Sequence, residues 1–215
     1  MPRPSHPLID RDRVIDTALK IIDAEGLAAC SLPRLSRELG VKAPSLYHHF
    51  ADRAEIMSEV ARRIVLETVV PRKRHPDDWI EWFVTMSVNF RRAITRHPNA
   101  APIMLEHVPR DVLSARYDDA SRFLTEAGVP PHLHVLILDG IENLVLGAGL
   151  MQAMKPTGTR PRIFPHVSRT EESALAAALD ANPWTTPEKL FAESIRTFLR
   201  GTVAAVTPTA PAPLP

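Results

Sequence analysis

One cysteine, Cys30, stands in 215 residues. It excludes an intramolecular disulfide and fits a reducing compartment. His and Cys nowhere fall into paired metal-ligand spacings, so no structural metal site is expected. There is no Gly-rich phosphate loop and no nucleophile motif, and His97, His107, His132 and His134 have no partner constellation. No catalytic residue, no cofactor and no enzymatic activity are therefore expected. The start, MPRPSHPLIDRD, lacks the apolar run of a signal peptide. Runs of about 18 or more uncharged apolar residues are also missing, so no membrane span is expected and the chain is expected in the cytoplasm. Charge of one sign is scarce: the net charge is +1, and residues 1–75 hold 13 Lys/Arg against 10 Asp/Glu. A nucleic-acid-binding face must then be a local cluster rather than a property of the whole chain.

What is present is helical. The apolar share of 45% is ordinary for a folded protein with a real core, and no alternating strand pattern of any length occurs. The spacing predicts an all-α chain of nine or ten helices. Residues 1–9, with three prolines, read as a mobile arm. Asp10 is positioned to cap a helix reaching Glu25, with Val14, Ala18, Ile21 and Ile22 on one face. Asp52, with Glu55 three residues on, has the capping-box pattern and opens a helix expected to reach about Val70. PRKRHP, residues 71–76, interrupts the periodicity as a short, stiff, basic joint. The domain boundary is placed there, between a first domain over 10–70 and a second over 77–206. In the second, helices are expected over about 77–97, 109–127, 131–154, 170–181 and 187–206. A mobile loop is expected over 155–169 and a disordered tail over 207–215.

The most informative stretch is SLPRLSRELGVKAPSLYHHF, residues 31–50. Leu32, Leu35 and Leu39 share a stripe over Leu32–Leu39, and Gly40 tolerates the left-handed backbone just past a helix. A second helix is expected from Ala43 to Phe50, with Pro44 in its first turn. Val41, Leu46 and Phe50 face inward, leaving Lys42, Ser45, Tyr47, His48 and His49 on or near the outer face. A short helix, a Gly turn and a polar, aromatic-bearing second helix are the parts of a helix-turn-helix DNA reader. The same pattern also occurs as ordinary packing in α proteins.

The run EGLAACSLPRLSRELGVKAPSLYHHFADRAEIM resembles the tetracycline-repressor type of bacterial transcriptional regulators. Ala18, Gly26, Ser31, Leu35, Leu39, Gly40, Val41, Leu46, Tyr47, Phe50 and the basic Arg53 carry the likeness, which is strong over residues 10 to about 65. The resemblance implies an N-terminal three-helix DNA-binding domain, a larger helical domain for ligand binding and dimerisation, and repression rather than activation. Ser31, Lys42, Ser45, Tyr47, His49 and Arg53 suit phosphate contacts, which set docking register without reading sequence. Ala43, Pro44 and His48, with Arg34 reaching in from the first helix, fall at base-reading positions. Tyr47 could instead pack its ring, and both histidines could be surface or packing residues. Arg3, Arg11 and Arg13 either add phosphate contacts or form a solvated basic tail. Pro33 and Ala43 stand where the tetracycline-repressor pattern has a base-contacting arginine and glutamine, so its operator does not carry over.

Beyond residue 77 the resemblance to the regulatory domain is weaker. RHPNAAPIML matches a loop, and TEAGVPPHLHVLILDGIENLVLGAGL and ESIRTFLRG match the last helices. A ligand cavity is implied, with Trp82, Phe83, Met86, Met104, His107, Tyr117, Asn143 and Met151 as candidate lining. Each of these is equally a candidate for plain core or surface. Glu142 is either a ligand partner or an interface residue. The family's magnesium–tetracycline site has a histidine where Met104 falls and a glutamate near Met151. The resemblance therefore implies a different, largely apolar effector. The helices over 131–154 and 187–206 are too apolar for one small domain to cover. With Gly140, Gly147 and Gly149 allowing close approach, they imply a homodimer on a palindromic operator. The alternative is a DNA-binding dimer without an effector, whose second domain only dimerises.

Overall fold

The structure, a computed structural model, describes residues 10–72, 75–155, 163–164 and 166–206. The arm over 1–9, with Arg3, the joint residues Lys73 and Arg74, most of the 155–169 loop and the tail over 207–215 lie outside the described residues. Among the described residues there are ten α-helices and no strand. These are α1 (Arg11–Glu25), α2 (Leu32–Leu39), α3 (Ala43–Tyr47), α4 (Arg53–Leu66), α5 (Trp79–Arg96), α6 (Ile103–Glu106), α7 (Arg110–Glu126), α8 (His134–Ala153), α9 (Ser173–Asp180) and α10 (Pro187–Val206).

The helix starts follow the capping residues. Asp10 accepts the Arg13 N–H at 2.7 Å, Ser31 accepts the Arg34 N–H at 3.3 Å, and Asp52 accepts the Glu55 N–H at 2.8 Å. Each satisfies an amide that has no partner inside its helix. Gly40 closes α2 at φ 69°, where a side chain would be strained. Two helices stop short of their expected ends. α3 ends at Tyr47 rather than Phe50, because the chain must turn to bury Phe50 and extend at Asp52; the His49 and Phe50 amides both return to the Leu46 carbonyl. α4 ends at Leu66 rather than near Val70, since Thr68, Val69 and Val70 are β-branched and Pro71 disfavours a helical residue before it.

The chain divides into two compact units. The first comprises residues up to 70, 89–120 and 146–154; the second comprises 71–88, 121–145 and the chain from 155 onward. The division therefore runs through α5, α7 and α8 rather than only at the 71–76 joint. In the first unit α1 packs on α2 and α4, α2 on α3, and α4 on α6. Val14, Ala18, Ile22, Leu35, Leu46, Ile56, Val60 and Ile64 form the buried centre of the N-terminal helices. In the second unit Trp82 meets Phe83 and Phe123 edge to face, at ring-centre distances of 4.9 and 5.4 Å. Its indole N–H donates to the Pro71 carbonyl at 2.8 Å, fixing the end of the joint to α5. The span Pro131–Ala153 has the length and composition of a membrane span, with mean hydropathy 1.5 over 18 residues. Asp139 and Glu142 interrupt it.

Candidate nucleic-acid interface

The recognition surface is built by a helix too short to stand alone. α3 has five residues, fewer than a stable isolated helix needs. Leu46 and Phe50 anchor it in the core, and the Val41 amide bonds back to the Ser36 carbonyl at 3.0 Å. With the apolar side fixed, the other side is presented. Lys42, Pro44, Tyr47 and His48 are exposed, Tyr47 at 57%, while Ala43, Ser45 and His49 are half-buried. The Tyr47 ring is thus not packed away. The Lys42 ammonium has no hydrogen-bond or ion-pair partner among the described residues, which leaves it available to an outside anion. The Ser31 oxygen serves as the α2 cap, and its hydroxyl hydrogen remains to donate.

Two of the expected DNA contacts are turned toward the protein itself. Arg34 holds Glu25 at 2.7 Å and Glu38 at 2.7 Å. The Arg34 hydrogen bond keeps the Glu25 carboxyl below its usual range, and the guanidinium is stabilised further in its charged form. Two acids of the same domain thus hold Arg34 across α1 and α2. Arg53 donates to the Cys30 carbonyl at 2.8 Å and the Leu27 carbonyl at 3.1 Å, bracing the turn before α2. A guanidinium has five donors, so this bracing leaves some of them free. Arg11, although exposed, also bonds to the protein itself, at the His49 carbonyl and Glu55, a role with no signal in the sequence. Buried Cys30 has its thiol pushed up by desolvation and takes no part in the surface.

The candidate effector residues fall in both compact units. In the first, Met104 is fully buried in the core, His107 meets Ser58 Oγ at 3.3 Å, Tyr117 is half-buried, and Met151 is 72% exposed. In the second, Phe83 is buried, Met86 is half-buried and Asn143, exposed, donates to Asp139 at 3.0 Å. A cleft of about 530 Å³ lies in that unit, lined by Pro71, Arg72, Asp78, Glu81, Trp82, Thr85 and Phe123. Trp82 is the one candidate lining it. Met104 lies in the core of the first unit and Met151 on its surface. One residue missed from sequence is His97, buried in the first unit with Nδ1 2.8 Å from Asp23 and Nε2 3.2 Å from Glu67. Asn99 adds a 2.9 Å bond to the Asp23 carbonyl.

Among the described residues a capped helix-turn-helix with an exposed outer face is followed by a second helical portion, an arrangement that fits a DNA-binding transcriptional regulator. Comparison with known proteins makes this specific. Residues 14–60 match the family model for bacterial regulatory proteins of the tetR family, and residues 71–206 match the tetracyclin repressor-like C-terminal domain. The chain belongs to the tetR family of bacterial regulators. It is 28% identical over 145 residues to the class C tetracycline repressor of Escherichia coli, a match covering 67% of this chain and 66% of that repressor. It is 26% identical over 191 residues to the class A repressor from transposon 1721 of Escherichia coli, covering 87% and 88%. The solved structure of ActR from Streptomyces coelicolor in complex with actinorhodin is 26% identical, with a TM-score of 0.73 over 94% of this chain and all of that one.

Proposed function

We propose that this chain is a repressor that binds a palindromic operator as a homodimer in the cytoplasm and is released by a small, largely apolar effector. The observation that carries the reading is the exposed outer face of α3, with Lys42, Pro44, Tyr47 and His48 held out by the buried Leu46 and Phe50. In this reading residues 10–70 are the reading head and 77–206 the regulatory and dimerisation domain. Lys42, Ser45, Tyr47, His49, Ser31 and the free donors of Arg53 meet phosphates, while Ala43, Pro44 and His48 lie over bases. Ala43 offers a methyl contact, as to thymine.

Dimerisation is supported by α8. Val135 and Leu136 are exposed, as are Leu144, Gly147, Met151 and Met154, with Met154 at 80%. Such apolar side chains along one helix favour a second copy as their cover. Two copies give the reading heads the two-fold symmetry of a palindrome, with half-sites about one helical turn apart. Effector binding would favour a spacing of the heads that no longer matches those half-sites. A ligand role is supported by the ActR complex with actinorhodin and by the aromatic cluster at Trp82, Phe83 and Phe123. Met104 in place of a metal-ligating side chain favours an apolar effector over a metal chelate. The second reading, a dimer with no effector, is favoured by the burial of Met104 and the exposure of Met151.

Footprinting a duplex that the protein selects from a random-sequence pool tests the reading. Two protected half-sites are expected, about one helical turn apart, with release by members of a panel of apolar aromatic compounds. Release by no compound supports the second reading. Tight release by micromolar magnesium–tetracycline excludes the apolar-effector assignment.

A further inference from the structure

Arg11, the first residue of α1, lies between three parts of the recognition unit. One Nη donates to the His49 carbonyl, just past the end of α3. The other donates to the Glu55 carboxylate at 2.7 Å, in the first turn of α4. The guanidinium also sits 4.2 Å from the centre of the Phe50 ring, the buried aromatic that ends the recognition segment. Glu55 in turn accepts the Ala51 N–H at 2.7 Å, and Glu59 adds a second carboxylate 3.9 Å from Arg11. Everything from His49 to Ala51 is thus gripped by one arginine and the acid that holds it.

We propose that Arg11 is a positioning residue for operator recognition, fixing the pitch of α3 through His49, Phe50 and Glu55, rather than a phosphate ligand. The proposal rests on the DNA-reading role of α3. A five-residue helix cannot set its own tilt. Leu46 and Phe50 hold its depth, and the bond from Val41 to Ser36 holds its start. Its far end is free to pivot unless a group outside the helix-turn-helix holds it. Arg11 holds it from α1, whose own start is fixed by the Asp10 cap. The fork matters: two donors diverge to a carbonyl and a carboxylate while the flat face stacks on a ring, a combination an ammonium cannot reproduce. Two carboxylates beside Arg11 offset its charge, unlike Lys42, which has no such neighbour among the described residues.

Salt dependence separates the two roles. Each phosphate contact released on mutation makes the slope of log affinity against log salt shallower by about 0.9, whereas loss of positioning leaves the slope intact. The measurement compares wild type, Arg11→Met, Arg11→Lys and Lys42→Met on a duplex that the wild-type protein selects from a random-sequence pool. Arg11→Met is expected to bind about tenfold more weakly at every salt concentration, with the wild-type slope. Arg11→Lys should fall nearly as far, and amide exchange should quicken at 46–51 while the centres of α1 and α4 stay protected. Lys42→Met should lose slope. A slope shallower by about 1.8 in Arg11→Met, about 0.9 from each of the two protomers, with Arg11→Lys close to wild type, overturns the proposal in favour of a phosphate contact. Unchanged affinity in Arg11→Met also overturns it. Should circular dichroism show Arg11→Met unfolded, Arg11→Lys alone carries the comparison. A wild-type protein that retains no duplex from the pool removes the DNA-reading role itself.

Discussion

At the scale of single residues, three arginines of the reading head differ from its other candidate contacts. Arg11, Arg34 and Arg53 all bind groups of the protein itself, two of them through backbone carbonyls. Lys42, Tyr47 and His48 are left facing outward. Tyr47 gives the simplest check. Its ring is exposed, so Tyr47→Ala removes little packing and should leave stability within about 0.5 kcal/mol of wild type. Operator binding should weaken by a similar factor across operator variants, since a phosphate contact carries no sequence information. Binding curves unchanged by the substitution would reject that role. Arg34 shows the opposite case: its residue type suits a guanine, but Glu25 and Glu38 satisfy it within the domain.

At the scale of elements, two contacts define how helices are held. In the second unit an added Cβ at Gly140 of α8 would lie 2.2 Å from the Phe198 ring of α10. The glycine is needed for that approach, and helix preference alone would favour alanine by about 1 kcal/mol. Overpacking costs about 1–3 kcal/mol, so Gly140→Ala should destabilise by a net ~1 kcal/mol in urea melts. A smaller side chain at Phe198 should recover most of the loss, and an additive double mutant would refute the contact. In the first unit His97 on the α5–α6 connection joins Asp23 of α1 to Glu67 at the end of α4. Arg96 pairs with the same Glu67. His97→Phe leaves the Asp23 carboxylate without its ring partner. Both acids are partly solvated, so the expected loss is about 1–2 kcal/mol in unfolding free energy. A melting curve matching wild type would show that the clasp contributes nothing to stability.

At the scale of the whole molecule, the question is what covers α8. Gly147 has nothing within 4 Å of an added Cβ, and Met151 beside it is exposed. Gly147→Arg should therefore be tolerated by the protomer yet place a charge on the proposed dimer face. Sedimentation at micromolar concentration is expected to give a dimer for wild type and a monomer for the variant, with operator affinity falling with it. A wild-type monomer would remove the palindromic reading, because one head reaches one half-site.

Local chemistry determined much of this protein. The caps at Asp10, Ser31 and Asp52, the glycine at residue 40 and the apolar stripes specify helices through interactions within a few residues, and they were legible from sequence for that reason. The pattern from Gly40 to Phe50 likewise identified a helix-turn-helix, and with it the family. What the sequence left open depends on distant partners. Nothing near Arg34 in sequence shows that Glu25 faces it, and nothing near Arg11 shows that His49 and Glu55 complete its fork. The burial of Met104, the exposure of Met151 and the clasp at His97 were equally invisible, being fixed by how helices far apart in the chain pack. Sequence determined which helices form and what kind of surface α3 carries. Tertiary structure decided which charged side chains are left to use it, because an ion pair or a fork forms only where folding brings its two halves within about 3 Å.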